Sequence, residues 1–146
     1  MTATVKPTVL VVDDALNVRE SLQRVFVRHG LDCLTADSGA AALEWLRSRT
    51  VDLLIVDLKM PRMDGLELMR AARLLRPNLE VIVISAYGTI DKAVEAMKEG
   101  ACDFLVKPFS RATLLRAADR ALRQRCVCLL SERPAAESWG PGQMVG

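Results

Sequence analysis

Five short runs, at residues 8–12 (TVLVV), 32–36 (DCLTA), 51–57 (VDLLIVD), 80–85 (EVIVIS) and 103–106 (DFLV), alternate with stretches whose apolar residues recur at helical spacing. Runs this short and rich in Val, Ile and Leu suit strands buried on both faces, as in a parallel sheet. Strict alternation with helices calls for βαβ units, with helices covering both faces of the sheet. The predicted fold class is therefore α/β, a five-stranded parallel sheet in one doubly wound domain. Residues 51–61, VDLLIVDLKMP, organise the chain: the run ends at Asp57, and Pro61 cannot donate to a ladder.

The helices have their own punctuation. The first spans 16–29, carries Leu22, Val25 and Phe26, and stops at Gly30. Ser38 caps the second, whose inner side holds Ala42, Leu43, Trp45 and Leu46. Asp64 and Glu67 have capping-box spacing ahead of a third helix that runs through Leu75 and is stopped by Pro77. Thr89 caps a fourth helix carrying Ile90, Ala93, Val94 and Met97 and ending at Gly100, and a last helix starts near Ser110.

Composition excludes several classes of function. Hydrophobic residues make up 51% and charged residues 26%, as in globular domains, and a net charge of +2 is too small to argue for nucleic acid. MTATVKP has no apolar core for a signal peptide, and no run approaches the roughly 18 residues a membrane span needs, so a cytosolic protein without a membrane partner is expected. Cys33, Cys102, Cys126 and Cys128 form no C-x-x-C pair and have no histidine-containing ligand set, which points to buried or incidental thiols. His29, the one histidine, precedes Gly30 at a helix end and is read as structural. Neither a G-x-G-x-x-G nor a G-x-x-x-x-G-K-[ST] loop is present, which removes the main support for dinucleotide and P-loop functions.

The strand ends carry the chemistry. The first run leads into Asp13 and Asp14, the third ends at Asp57, the fourth at Ser85, and the fifth leads into Lys107. Ligands of open α/β sheets sit outside the carboxyl ends of the strands, and in a flavodoxin-like order these five side chains converge. Taken singly, the acid pair can cap the first helix, and Ser85 and Lys107 are ordinary loop residues; together they describe a site. Three carboxylates in one pocket repel unless a cation compensates, and hard oxygen donors that leave room for water suit Mg²⁺. With Lys107 opposite the metal and Ser85 donating a hydrogen bond, charge on a transferred phosphoryl group is neutralised, and Asp57 can serve as the nucleophile.

VVDD, DLKMPRMDG and SAYGTIDKAVEAMKEGACDFLVKPF, in that order, resemble the receiver domain of two-component response regulators over residues 8–122. The resemblance implies strand order 2-1-3-4-5 and phosphorylation of Asp57 by a sensor histidine kinase. It also implies Mg²⁺, for which Mn²⁺ could substitute, held by Asp14 directly, by Asp13 largely through water, by Asp57 and by the Lys59 carbonyl. Ser85 matches the family's hydroxyl position and Lys107 its phosphate-binding lysine, preceding a cis Pro108. Phe104 matches the switch aromatic, although an ordinary core aromatic would look the same, and Lys59 and Tyr87 match positions that tune phosphate lifetime. Readout then rests on the face built from the fourth helix, fifth strand and fifth helix (α4-β5-α5). The domain would turn over no external metabolite, and would catalyse only its own phosphorylation and slow dephosphorylation.

The resemblance is strongest to receivers of NtrC-like activators, which implies AAA+ and DNA-binding domains outside this chain and a role in transcription. Residues 1–7 form an N-terminal arm, and 123–146 hold the end of an extended helix and a flexible linker or tail rich in Pro and Gly. Leu115, Leu122 and Leu129, one heptad apart, suggest a homodimer through that helix, although Ala118 and Arg125 make a poor second seam. Two rivals stand beside this reading. A pseudo-receiver would only dimerise. A phosphohydrolase using Asp57 would want an Asp two residues later, where Lys59 stands.

Overall fold

The structure, a computed structural model, describes residues 6–58, 65–86 and 90–131; the side chains of residues 90 and 124–131 lie outside that description. The elements are β1 (Thr8–Val12), α1 (Leu16–Arg28), β2 (Asp32–Ala36), α2 (Gly39–Ser48), β3 (Leu53–Asp57), α3 (Gly65–Leu75), β4 (Glu80–Ser85), α4 (Ile90–Lys98), β5 (Asp103–Val106) and α5 (Arg111–Ser131). The five strands form one parallel sheet in the order β2-β1-β3-β4-β5, as expected.

The unbroken apolar runs are explained by alternation across two covered faces. Leu10, Val12, Leu54, Val56, Val81 and Val83 point to one side, where they meet Leu46 of α2, Leu68 and Met69 of α3, and Ala96 of α4. Their neighbours Val9, Val11, Leu53, Ile55, Ile82 and Ile84 point to the other, against Leu22 and Phe26 of α1 and Leu114 and Ala118 of α5. A single-residue slip of any central strand would exchange these two sets.

Helix ends follow the predicted chemistry. Gly30 (φ 91°) ends α1 with Leu31 N–H donating back to Phe26, and Gly100 (φ 105°) ends α4 with Ala101 N–H donating to Ala96. Ser38 caps α2 by accepting from Ala41 N–H at 3.2 Å. His29 pairs with Asp119 of α5 at 3.1 Å, in keeping with a structural role. The expected caps Asp64 and Thr89 lie outside the described residues, as do Lys59, Tyr87 and the tail 132–146.

Two expectations change. Val94 and Met97 of α4 are 46% and 47% exposed, and the buried contact falls on Ala96 instead. The strand beside α4 explains this: β5 is a four-residue edge strand with only Leu105 buried, too little surface to cover a wide apolar stripe. On α5, Leu115 and Leu122 pack partly buried against the chain's own core, with Ala118 fully buried between them. The described part of the proposed dimer seam is thus already occupied within the domain, and the Leu129 side chain lies outside the described residues.

Candidate functional site

Parallel register sets the carboxyl ends of β1, β3, β4 and β5 along one rim, pairing Val12 with Val56, Asp57 with Ile84, and Ser85 with Val106. Beyond β1 the chain continues one residue further as strand-like backbone, with Asp13 N–H donating to the Ala36 carbonyl at 3.2 Å. Asp13 is then buried, 1% exposed, and its Oδ1 accepts from Ala15 N–H at 2.9 Å. That bond closes the β1–α1 turn and does not cap α1, whose N-cap is Ala15 with no side-chain cap. Asp14 is exposed at the mouth of the site.

Asp57, 6% exposed, closes β3, and Ser85, 3% exposed, closes β4. Carboxylate oxygens of Asp13, Asp14 and Asp57 all lie within 4.8 Å of one another. The Lys107 ammonium donates to Asp13 Oδ2 and to Asp57 Oδ2, each at 3.0 Å. Lys107 is held from behind, its own N–H donating to the Ser85 carbonyl at 2.8 Å, and its bond to Pro108 is cis. Burial alone would lower the pKa of Lys107; the hydrogen bonds and charges of Asp13 and Asp57 outweigh that and hold it above the ordinary lysine value. Phe104 of β5 lies partly buried against the core beside Val83.

Three carboxylates against one ammonium leave the pocket net negative, and this set of clustered oxygens fits a hard divalent cation such as Mg²⁺. Asp13, Asp14 and Asp57 are the residues able to hold it. The five strand-end residues singled out from the sequence stand on the same rim. Two further contributors carry only faint sequence signals. Arg19, on the second turn of α1, donates to the Asp13 carbonyl at 2.8 Å and pins the acid turn. Gly65, the first residue of α3, sits so close beneath Asp57 that a Cβ there would lie 2.7 Å from the Asp57 carbonyl oxygen.

Comparison with known proteins gives one consistent picture. The family described as response regulator receiver domain matches residues 9–119. Among curated relatives, the DNA-binding transcriptional regulator NtrC of Escherichia coli (strain K12) is 41% identical over 114 residues, 78% of this chain and 24% of that protein. The response regulator protein FleR of Pseudomonas aeruginosa is 39% identical over 133 residues, 91% of this chain and 27% of that protein. The chain thus spans about a quarter of the length of these relatives. Among solved structures, NtrX from Brucella abortus in complex with ADP superposes with a TM-score of 0.83 at 31% identity, covering 92% of this chain and 31% of that one. CheY4 of Vibrio cholerae superposes at 0.77 with 30% identity, covering 81% and 100%.

Proposed function

The chain belongs to the response regulator receiver domain family of two-component systems and is related to the NtrC-like transcriptional regulators, and on that premise we propose that it is a phosphoacceptor switch. The observation that carries the reading is the Lys107 ammonium held 3.0 Å from two buried carboxylates at the carboxyl rim of the sheet.

In this reading an Asp57 carboxylate oxygen attacks the phosphorus of a phosphohistidine on a sensor kinase; the P–N bond breaks and the imidazole nitrogen keeps the pair. Mg²⁺, when bound by Asp13, Asp14, Asp57 and the Lys59 carbonyl, neutralises charge on the transferring group. Lys107 then exchanges one carboxylate partner for a phosphoryl oxygen, and the Ser85 hydroxyl donates to another. Moving Ser85 frees volume beside Phe104, and rotation of that ring alters the α4, β5 and α5 face, which controls dimerisation or an output domain. Water ends the signal by hydrolysing the acyl phosphate, at a rate set by Lys59 and Tyr87. The AAA+ and DNA-binding domains of an NtrC-like output would lie outside this chain, and the receiver acts in phosphorelay signalling without turning over a metabolite of its own.

The test is incubation with acetyl phosphate and Mg²⁺, followed by sizing of treated and untreated protein. A phosphoryl-dependent change in elution supports a switch. Labelling with no change in association would restrict the function to phosphate storage, and no labelling at all would favour a dimerisation module without chemistry.

A further inference from the structure

A second feature lies away from the carboxylate rim, between α1 and α5. A cavity of about 360 Å³ is walled by Arg24 and Arg28 on α1 and by Arg111 on α5, with Val25 and Leu115 forming its floor. Arg24 and Arg28 are one helical turn apart and so face the same way. Among the described residues none of these three guanidiniums has an ion-pair or hydrogen-bond partner, and no carboxylate lines the cavity. The α1 and α5 sequences together hold eight arginines and two acids, whereas the whole chain has a net charge of only +2, so the remainder of the molecule is net negative. The positive charge is therefore concentrated on this flank.

The cavity shares Ser21 with a second depression of about 290 Å³, which is largely apolar and lined by Val18, Leu22, Pro108 and Phe109. The two follow α1 from Asn17 to Arg28, a span of about 16 Å at 1.5 Å per residue, or three helical turns. A small inorganic anion would leave the apolar floor unused, and so would a phosphodiester backbone. An amphipathic helix uses both features: its apolar stripe covers Val25 and Leu115, and its flanking carboxylates meet the guanidiniums, whose planar fork suits them.

We propose that the α1–α5 trough is a docking site for an acidic amphipathic helix of a partner protein, with Arg24, Arg28 and Arg111 as the anion-reading residues. The proposal stands independently of phosphorylation at Asp57. It is tested by fluorescence anisotropy on the full chain with a labelled helical peptide carrying a leucine stripe flanked by glutamates. Saturable binding is expected, weakened at least tenfold in the Arg24→Glu/Arg28→Glu variant and again in Arg111→Glu, on the opposite wall. Circular dichroism and acetyl phosphate labelling should be unchanged in both. A Glu→Gln peptide and a Leu→Ser peptide should each bind at least tenfold more weakly. The proposal is overturned if the wild type shows no saturable binding, or if the arginine variants bind equally. It is also overturned if the Leu→Ser peptide binds as well as the parent, or if short duplex DNA displaces the peptide at equal concentration, since either would reveal a mere polyanion surface.

Discussion

Lys107 joins residues that are 94 and 50 positions away in the sequence, and nothing local in the chain announces that pairing. The acids were legible because each stands where an apolar run stops, but the bridging ammonium becomes visible only when the sheet is assembled. Replacing it should separate chemistry from signalling: Lys107→Ala is expected to accept phosphate from acetyl phosphate yet show no change in association on sizing, and a variant that still responds normally would remove Lys107 from the switch. Gly65 was read only as part of a capping pattern, whereas its role is close approach to the Asp57 backbone. Gly65→Ala forces a Cβ against that carbonyl and should cost about 1–3 kcal/mol, read as a lower thermal midpoint, together with slower labelling. The cysteines follow from burial. The Cys33 thiol is pushed up to about 12 by burial, and that of Cys102 to about 12 by burial with Glu80 and Asp103 adding to it, from an ordinary 9.0. The unfolded chain releases these protons first, so stability is unaffected below pH 9.0 and falls as pH rises from there toward 12. At neutral pH both cysteines should alkylate far more slowly in the folded protein than in denaturant, by peptide mapping.

At the scale of elements, β1, β3 and β4 were plain in the sequence because burial on both faces leaves a continuous apolar run. Helix ends were plain where a glycine or a capping hydroxyl marks them. Ser38→Ala should lower stability by about 1 kcal/mol in urea denaturation, since the Ala41 N–H loses its acceptor at the start of α2. The way α4 is seated was not legible, because periodicity reports an apolar stripe but not how much partner surface exists to cover it. Polar ties from α3 supplement this limited packing. Arg70 pairs with Glu99 at 2.9 Å, holding the Glu99 carboxyl below its ordinary pKa, and Arg73 donates to the Leu79 carbonyl at 3.0 Å and reaches the Gly100 carbonyl at 3.5 Å. Such side-chain clips between neighbouring helices leave no periodic trace in a sequence.

For the whole molecule, the sheet order converts an ordinary list of loop residues into one site, since β1 and β3 lie side by side and β4 and β5 follow on the same edge. Among the described residues no helix is long and apolar enough to cross a membrane. The half-exposed Val94, Met97 and Val106 lie on α4 and β5, within the face expected to respond to phosphorylation, so their exposure is consistent with a surface that is covered only in one state. The central claim is that the acidic rim accepts a phosphoryl group on Asp57 with a divalent cation. Intact mass spectrometry of the wild type and of Asp57→Asn, each treated with acetyl phosphate with Mg²⁺ or with chelator, tests it most directly. The account predicts one added phosphoryl group on the wild type in Mg²⁺ alone and none on Asp57→Asn; equal labelling of the two proteins, or labelling indifferent to the chelator, would contradict it.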